Sequence, residues 1–145
     1  MTQNEKDLLL KDLCARLPYK VKVQDTYYKS LEPAPIWLID LHAQNVRMFA
    51  DEGYQSIEYI KPYLFPLSSM TEEQEMEISK RYNYHNYCEG CVEITYHLEG
   101  YWDDDNSCNL QDYLWLEDWY NKNHFDYRGL IPMGLAIDAT GLNIY

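Results

Sequence analysis

The stretch that decides the fold spans residues 36–60, IWLIDLHAQNVRMFADEGYQSIEYI. In it, short apolar runs rich in β-branched and aromatic residues alternate with turns that contain Asn, Asp and Gly. We predict strands over Ile36–Leu41, Val46–Phe49 and Tyr54–Ile60. Because short turns join strands that run antiparallel, these three segments are expected to form a meander.

Upstream of this meander the sequence predicts one helix and one further strand. Thr2 and Glu5 match a capping box at a helix start, and leucines follow at helical spacing until Pro18. Over Tyr19–Gln24 the apolar residues alternate with polar ones, as in a half-buried strand. We expect this strand to join the meander in one sheet.

Downstream, the pattern predicts two more helices, a strand and a docked tail. A capping box at Thr71–Gln74 begins a helix that ends near Tyr82. Residues 91–98 read as a strand, and Leu110–Asn123 as a helix with a broad aromatic face. The apolar segment Gly129–Tyr145 must pack on the body of the protein, because it would otherwise be an exposed hydrophobic patch.

These elements predict an α+β fold in a single domain over residues 1–145. Its centre is a small antiparallel meander sheet, curled or barrel-like, packed by helices from the N-terminal and C-terminal parts of the chain. We expect Pro62 and Pro66 to end the sheet, because proline cannot donate a hydrogen bond to a strand ladder.

Charge and hydropathy exclude several classes of function. The chain has 24 acidic and 12 basic side chains, a net charge of −12, and the excess of acid lies after residue 50. Phosphate backbones require clustered cations, so we expect no direct nucleic-acid binding. No apolar run is long enough for a membrane span or a signal-peptide core, which predicts a cytoplasmic protein with reduced cysteines and no membrane partner.

The sharpest local pattern is a group of metal-ligating residues: His85, Cys88, Cys91 and His97. Two cysteines separated by two residues suit a zinc knuckle, but the spacings to the two histidines match no standard finger. The alternative is a pair of ordinary thiols in a tight turn, which we prefer. A redox pair is less favoured still, because a strand, not a helix, is predicted after Cys91.

No recognisable catalytic motif occurs in the sequence. The acidic run Asp103–Asp105 fails as a calcium loop, because Cys108 and Leu114 stand where glycine and glutamate are needed. Asp40 and His42 share a face of a strand, but no motif places a nucleophile beside them. We therefore predict no catalytic residue and no cofactor, and we leave open whether the protein is an enzyme, with a non-enzymatic role preferred.

Tyrosine dominates the aromatic composition, with 15 Tyr against 3 Phe. Tyrosine buries apolar area while its hydroxyl stays wet, a property that suits interfaces as well as the cover of a small core. Arg128 is expected to tie the end of the last helix by pairing with Asp126, Asp118 or Asp112. The candidate partner-binding side chains lie in the acidic middle of the chain: Tyr82, Tyr84, Tyr87, Tyr101 and Trp102.

Two segments carry a resemblance: residues 60–74, IKPYLFPLSSMTEEQ, and residues 118–145, DWYNKNHFDYRGLIPMGLAIDATGLNIY. In both, the chain resembles a group of small uncharacterised proteins of anaerobic gut bacteria and their phages or mobile elements. The resemblance implies a cytosolic accessory protein and supplies no catalytic residues.

Three hypotheses for the function follow. The first is a non-enzymatic module that binds an unidentified protein partner through the tyrosine-rich acidic face. The second is an acidic inhibitor that mimics nucleic acid and occupies a basic cleft. The third is a zinc-stabilised module or small enzyme built on the cysteine–histidine group.

Overall fold

The computed structural model describes residues 1–28, 32–48, 53–82 and 110–145. These residues divide into two compact units, one formed by Met1–Ser69 with Tyr120–Tyr145 and the other by Met70–Trp119. The first unit contains a mostly antiparallel sheet with a helix on one face, so the predicted α+β class is confirmed.

Within the described residues, the sheet contains six strands in the order β4-β3-β2-β1-β5-β6. All neighbours are antiparallel except β5 and β6, which run parallel. These six strands form an open sheet with β1 in its interior, and the barrel-like form of the prediction is not seen among them. The strand bounds are β1 Lys22–Asp25, β2 Ala34–Asp40, β3 Asn45–Met48, β4 Gln55–Ser56, β5 Ile60–Leu64 and β6 Ile137–Asp138.

Helix α1, Gln3–Arg16, confirms the predicted first helix. The Thr2 amide donates to the Glu5 carboxylate at 2.6 Å, and the Glu5 amide donates to the Thr2 hydroxyl at 3.3 Å, so both sides of the capping box are present. The helix ends where Pro18 stands in a short 3₁₀ turn. Its leucines pack on one face of the sheet and form the core with strand residues such as Val23, Ile36 and Val46.

The third predicted strand is wrong in its bounds. Residues 54–60 hold only the two residues of β4, then a 3₁₀ turn over Ile57–Tyr59, and β5 begins at Ile60. Ile57 is fully buried, and the turn places it in the core. The chain therefore makes a corner where an uninterrupted strand was predicted.

Pro62 lies inside β5, where it was expected to end the sheet. The backbone N–H and C=O groups of Lys61 and Tyr63 point towards β1, and those of Pro62 point towards β6. The N–H that proline lacks is therefore missing on the β6 side. That neighbour, β6, begins its pairing only at Tyr63. Pro62 is therefore compatible with both ladders of β5.

The tail docks on the body as predicted. Leu130, Leu135 and Ala136 are buried in the core cluster, and β6 adds the last strand to the sheet. The carboxylate of Asp126 accepts from the amides of Leu130 and Ile131 at 2.8 and 2.7 Å, which fixes the turn that leads into the tail.

The second unit contains helix α2, Glu72–Tyr82, which begins at the predicted capping box. The Thr71 amide donates to the Gln74 side chain at 2.9 Å, and the Gln74 amide returns to the Thr71 hydroxyl at 3.3 Å. Helix α3, Leu110–Lys122, starts in this unit and ends in the first. Within the described ranges, neither these helices nor α1 combine the length and apolar composition of a membrane span.

Candidate binding surface on the sheet

The two groups of site residues predicted from the sequence lie almost entirely outside the described residues. Tyr82 is the last residue of α2, and its side chain is not described. Among the described residues, no three His, Cys, Asp or Glu side chains are placed to hold a metal ion. The residues that remain predictions are Tyr82, Tyr84, Tyr87, Tyr101 and Trp102 for partner binding, and His85, Cys88, Cys91 and His97 for zinc.

The described surface feature with the most distinctive chemistry begins at a bulge in the hairpin of β2 and β3. Ile36 is paired with Met48, and the next pair is Leu38 with Arg47, so Trp37 is the extra residue of the bulge. Ile36 and Met48 point into the core. The bulge therefore turns the Trp37 ring away from the core, and 43% of the residue is exposed.

Arg47 is stacked between two aromatic rings on this outer face. Its guanidinium carbon lies 4.8 Å from the centroid of the Trp37 ring and 5.1 Å from that of Tyr54. The register of β3 and β4 pairs Val46 with Gln55, so the next residues along each chain, Arg47 and Tyr54, come side by side, which explains the contact. Each cation–π contact contributes about 0.5–1 kcal/mol at an exposed site. We name Trp37, Arg47 and Tyr54 the aromatic–arginine stack.

Two more cations share the outer face of the sheet. Lys22 on β1 is paired with Pro35, and Lys61 on β5 is paired with Gln24, whereas the alternate residues point into the core. The Tyr63 hydroxyl donates to the Gln24 side chain at 3.0 Å, and burial raises the pKa of Tyr63, so this phenol stays neutral. The face thus combines rings, amides and positive charge in a chain of net charge −12.

A second aromatic cluster stands at the end of β1. The Tyr27 ring lies 4.8 Å from that of Tyr28 and 5.2 Å from that of Tyr59, measured between centroids. Asp25 holds the turn, because one oxygen of its carboxylate accepts from the amides of Tyr27 and Tyr28 at 2.7 and 3.0 Å. The backbone of Tyr59 is held by Thr26, whose amide and hydroxyl both donate to the Tyr59 carbonyl. All three tyrosines are exposed.

The interior holds a contrasting ionic site between α1 and the residues after α3. Asp12 and Arg16 are fully buried and form a bidentate pair, with distances of 2.8 and 3.0 Å. Arg128 donates to the same Asp12 carboxylate at 2.9 Å. Arg16 also donates to the carbonyl of Phe125 at 2.7 Å. We name Asp12, Arg16 and Arg128 the ionic junction.

Arg128 has a partner that the sequence prediction did not include. It forms an ion pair with Asp12, 116 residues away, and Asp126 accepts the two backbone amides of the tail. The Arg128–Asp12 pair fastens α1 to the segment that follows α3. A carboxylate that accepts three charged hydrogen bonds is committed to structure, which assigns the junction to stability.

His124 closes the end of α3 beside the junction. It has a left-handed backbone (φ 59°), and the amides of His124 and Phe125 donate to the carbonyls of Asn121 and Tyr120, which is a Schellman motif. Burial, and secondarily the positive charge of Arg16, lowers the pKa of His124 to about 4. The ring is therefore neutral at pH 7.

The remaining sequence candidates have plain structural roles. The Asp40 carboxylate accepts from the Ala43 amide at 2.9 Å and so closes the hairpin turn, while His42 is exposed in that turn. Sequence reasoning missed the aromatic–arginine stack. Strand alternation could have placed Trp37 and Arg47 on the polar face, but neither the bulge nor the neighbour Tyr54 has a signal in the sequence.

Comparison with known proteins adds no relative. A scan against protein-family models, a search of curated proteins and a search of solved structures each give no match to this chain.

Proposed function

We propose that this protein is a non-enzymatic cytoplasmic accessory module that binds a protein partner through the aromatic–arginine stack. The observation that carries the proposal is the exposure of two large rings, Trp37 and Tyr54, on either side of one guanidinium. Tryptophan, tyrosine and arginine are the residue types that dominate the energy of protein interfaces.

The stack is suited to recognition because its geometry is set before binding. Its members stand on or directly beside β2, β3 and β4, and the bulge and the strand register fix their spacing. Rings that are already ordered lose little conformational entropy when a partner covers them. Binding energy is therefore available from apolar burial, with the cations of the outer face giving orientation.

Charge supports a protein in preference to a nucleic acid. The three cations of the outer face attract carboxylates at short range, whereas the net charge of −12 repels a phosphate backbone at long range. The resemblance of residues 60–74 and 118–145 to small proteins of gut bacteria and mobile elements fits an accessory role of this kind. The tyrosine-rich segment with Tyr84, Tyr87, Tyr101 and Trp102 stays a predicted second contact.

The proposal is tested by removing the two rings together. Affinity capture from a lysate of the organism that encodes the chain identifies the partner, and calorimetry with the purified partner measures the dissociation constant. We expect Trp37→Ala with Tyr54→Ala to weaken binding at least about 30-fold, since interface rings contribute about 2 kcal/mol or more. The matched control is Leu41→Ala, which removes another exposed apolar side chain from the hairpin and should change affinity less than about twofold.

The same measurement separates the alternative functions. If the chain mimics nucleic acid, affinity falls steeply between low and physiological salt and the ring variant binds like the wild type. If recognition lies in the tyrosine-rich segment, Tyr101→Ala with Trp102→Ala abolishes binding and the variant at 37 and 54 does not. Either result contradicts the assignment to the aromatic–arginine stack.

A further inference from the structure

The ladder between β1 and β5 stops one bond early. The Thr26 amide donates to the Tyr59 carbonyl at 2.7 Å, so Thr26 and Tyr59 are a hydrogen-bonded pair of the antiparallel ladder. Hydrogen-bonded pairs in an antiparallel ladder recur every second residue. A bond from the Lys22 amide to the Tyr63 carbonyl is therefore due at the end of the paired region.

A side chain from the tail occupies that position. The Lys22 amide donates to the hydroxyl of Tyr145 at 3.2 Å, and this hydroxyl donates to the Tyr63 carbonyl at 2.7 Å. A phenol thus bridges two backbone groups that a regular ladder joins directly. The hydroxyl satisfies both groups, because it accepts from the amide with a lone pair and donates its proton to the carbonyl.

The ring of Tyr145 is held by two aromatic neighbours. It stacks on His124 with 3.9 Å between centroids and 12° between planes, and the Phe65 ring lies at 5.9 Å. Phe65 and His124 are held together without Tyr145, because the Phe65 amide donates to the His124 carbonyl at 2.9 Å. Although 44% of the residue is exposed, desolvation at its hydroxyl raises the pKa of Tyr145, so the phenol is protonated and able to donate.

The segment that carries Tyr145 is exposed over residues 140–143. Its first part is held by local hydrogen bonds, from the Thr140 amide to Asp138 at 2.8 Å and from the Leu142 amide to the Ala139 carbonyl at 3.1 Å. Its bonds to the sheet are those of the Tyr145 hydroxyl and one from the Lys22 ammonium to the Ile144 carbonyl at 2.6 Å. Segments with few buried contacts open at a low free energy compared with global unfolding. We name residues 140–145 the strap.

We propose that the gap in the ladder is a binding site for a phenolic ring, which Tyr145 of the same chain occupies as an intramolecular ligand carried by a releasable strap. The site recognises the ring by stacking on His124 and the hydroxyl by the Lys22 amide and the Tyr63 carbonyl. Its ligand class is a para-substituted phenol, either a free small molecule or a tyrosine side chain.

The test uses Tyr145→Gly in the full chain and p-cresol, which reproduces the missing side chain. We expect p-cresol to bind this variant with a dissociation constant of about 1 mM, reasonable for so small a ligand. Toluene is the matched probe without a hydroxyl, and it should bind at least about tenfold more weakly, because both backbone groups then lose their partner. Wild-type protein should bind p-cresol at least about tenfold more weakly than the variant, because Tyr145 competes.

Two outcomes would overturn the proposal. Equal affinity of p-cresol for the wild type and the variant would place the probe elsewhere on the surface. Equal affinity of toluene and p-cresol for the variant would show an apolar cavity that does not recognise the hydroxyl.

A second measurement does not depend on the folding of the glycine variant. Tyr145→Phe keeps the ring and removes only the hydroxyl, so the amide of Lys22 should exchange with solvent at least about tenfold faster than in the wild type. The amide of Gln24, within the regular ladder, is the internal reference and should not change. If the Lys22 amide keeps its protection, the ladder closes without the phenol and the proposed site does not exist.

Discussion

Arginine packs against aromatic rings in two regions of this protein, and the surroundings of the guanidinium give each region a different role. In the ionic junction Arg16 is fully buried, and Tyr127 packs against both Arg16 and Arg128 at 5.5 and 4.4 Å. In the aromatic–arginine stack, Arg47 is half-buried between rings that solvent reaches. In the ionic junction, the arginines use their hydrogen-bond donors on groups inside the protein. In the aromatic–arginine stack, part of the ring surface is exposed and available to a partner.

The difference follows from desolvation. A buried guanidinium is tolerated only with a carboxylate and carbonyl acceptors around it, and Asp12 together with the carbonyl of Phe125 supplies them. On the sheet, solvent screens the charge of Arg47, and two rings pack against its guanidinium. The comparison therefore predicts large energetic consequences for changes in the junction and small ones for changes in the stack.

Neutralising Asp12 should have the largest effect on stability. Asp12→Asn leaves the fully buried Arg16 without the carboxylate that it pairs with, and we expect the free energy of unfolding to fall by about 3–5 kcal/mol. Urea denaturation followed by circular dichroism measures the change. Asp7→Asn, an exposed position on the same helix, is the control and should cost less than about 0.5 kcal/mol. A loss below about 1 kcal/mol at Asp12 would show that the junction is not a buried anchor.

Acid should weaken the region around the junction through His124. The pKa of this side chain is about 4 in the folded protein against 6.5 ordinarily, so the unfolded chain binds the proton first as pH falls. The stabilisation by neutral His124 is complete above pH 6.5 and is lost progressively as pH falls towards 4. With partial solvent screening allowed for, the loss is about 2–3 kcal/mol.

The contribution of His124 is isolated by a difference measurement. His124→Asn tolerates the left-handed backbone but does not titrate, so the carboxylates of the chain contribute equally to both proteins. We expect the free energy of unfolding of the wild type to fall more steeply than that of the variant between pH 6.5 and 4. Parallel curves would mean that protonation of His124 is not coupled to folding.

The sequence predicted those parts of the fold whose signals are local. The capping boxes at Thr2 and Thr71 and the hairpin of β2 and β3 are set by residues within a few positions of one another. The prediction that Pro62 ends the sheet was wrong, because the effect of a proline depends on the strand towards which its missing N–H points. That direction is set by the register of β5 with β1 and β6.

The sites depended on partners that are distant in the sequence. Polar alternation could indicate that Arg47 faces outward, but the stack needs a bulge at Trp37 and a third strand that brings Tyr54 alongside. The partners of Arg128 were sought among nearby aspartates, and the fold adds Asp12 from the first helix. Pairings between residues so far apart follow from the tertiary arrangement, which no short window of sequence encodes.

The smallest predicted effect is that of replacing Arg47 by lysine. The positive charge stays on the outer face and the flat guanidinium between Trp37 and Tyr54 is lost, so the free energy of unfolding should fall by about 1 kcal/mol or less. Arg16→Lys is the matched change in the ionic junction. There the bidentate contact with Asp12 is broken in the interior, and we expect a loss of about 3 kcal/mol or more in the same urea titration. Equal losses at the two positions would remove the distinction between a structural and a recognition arginine, because lysine would then be tolerated or rejected regardless of burial.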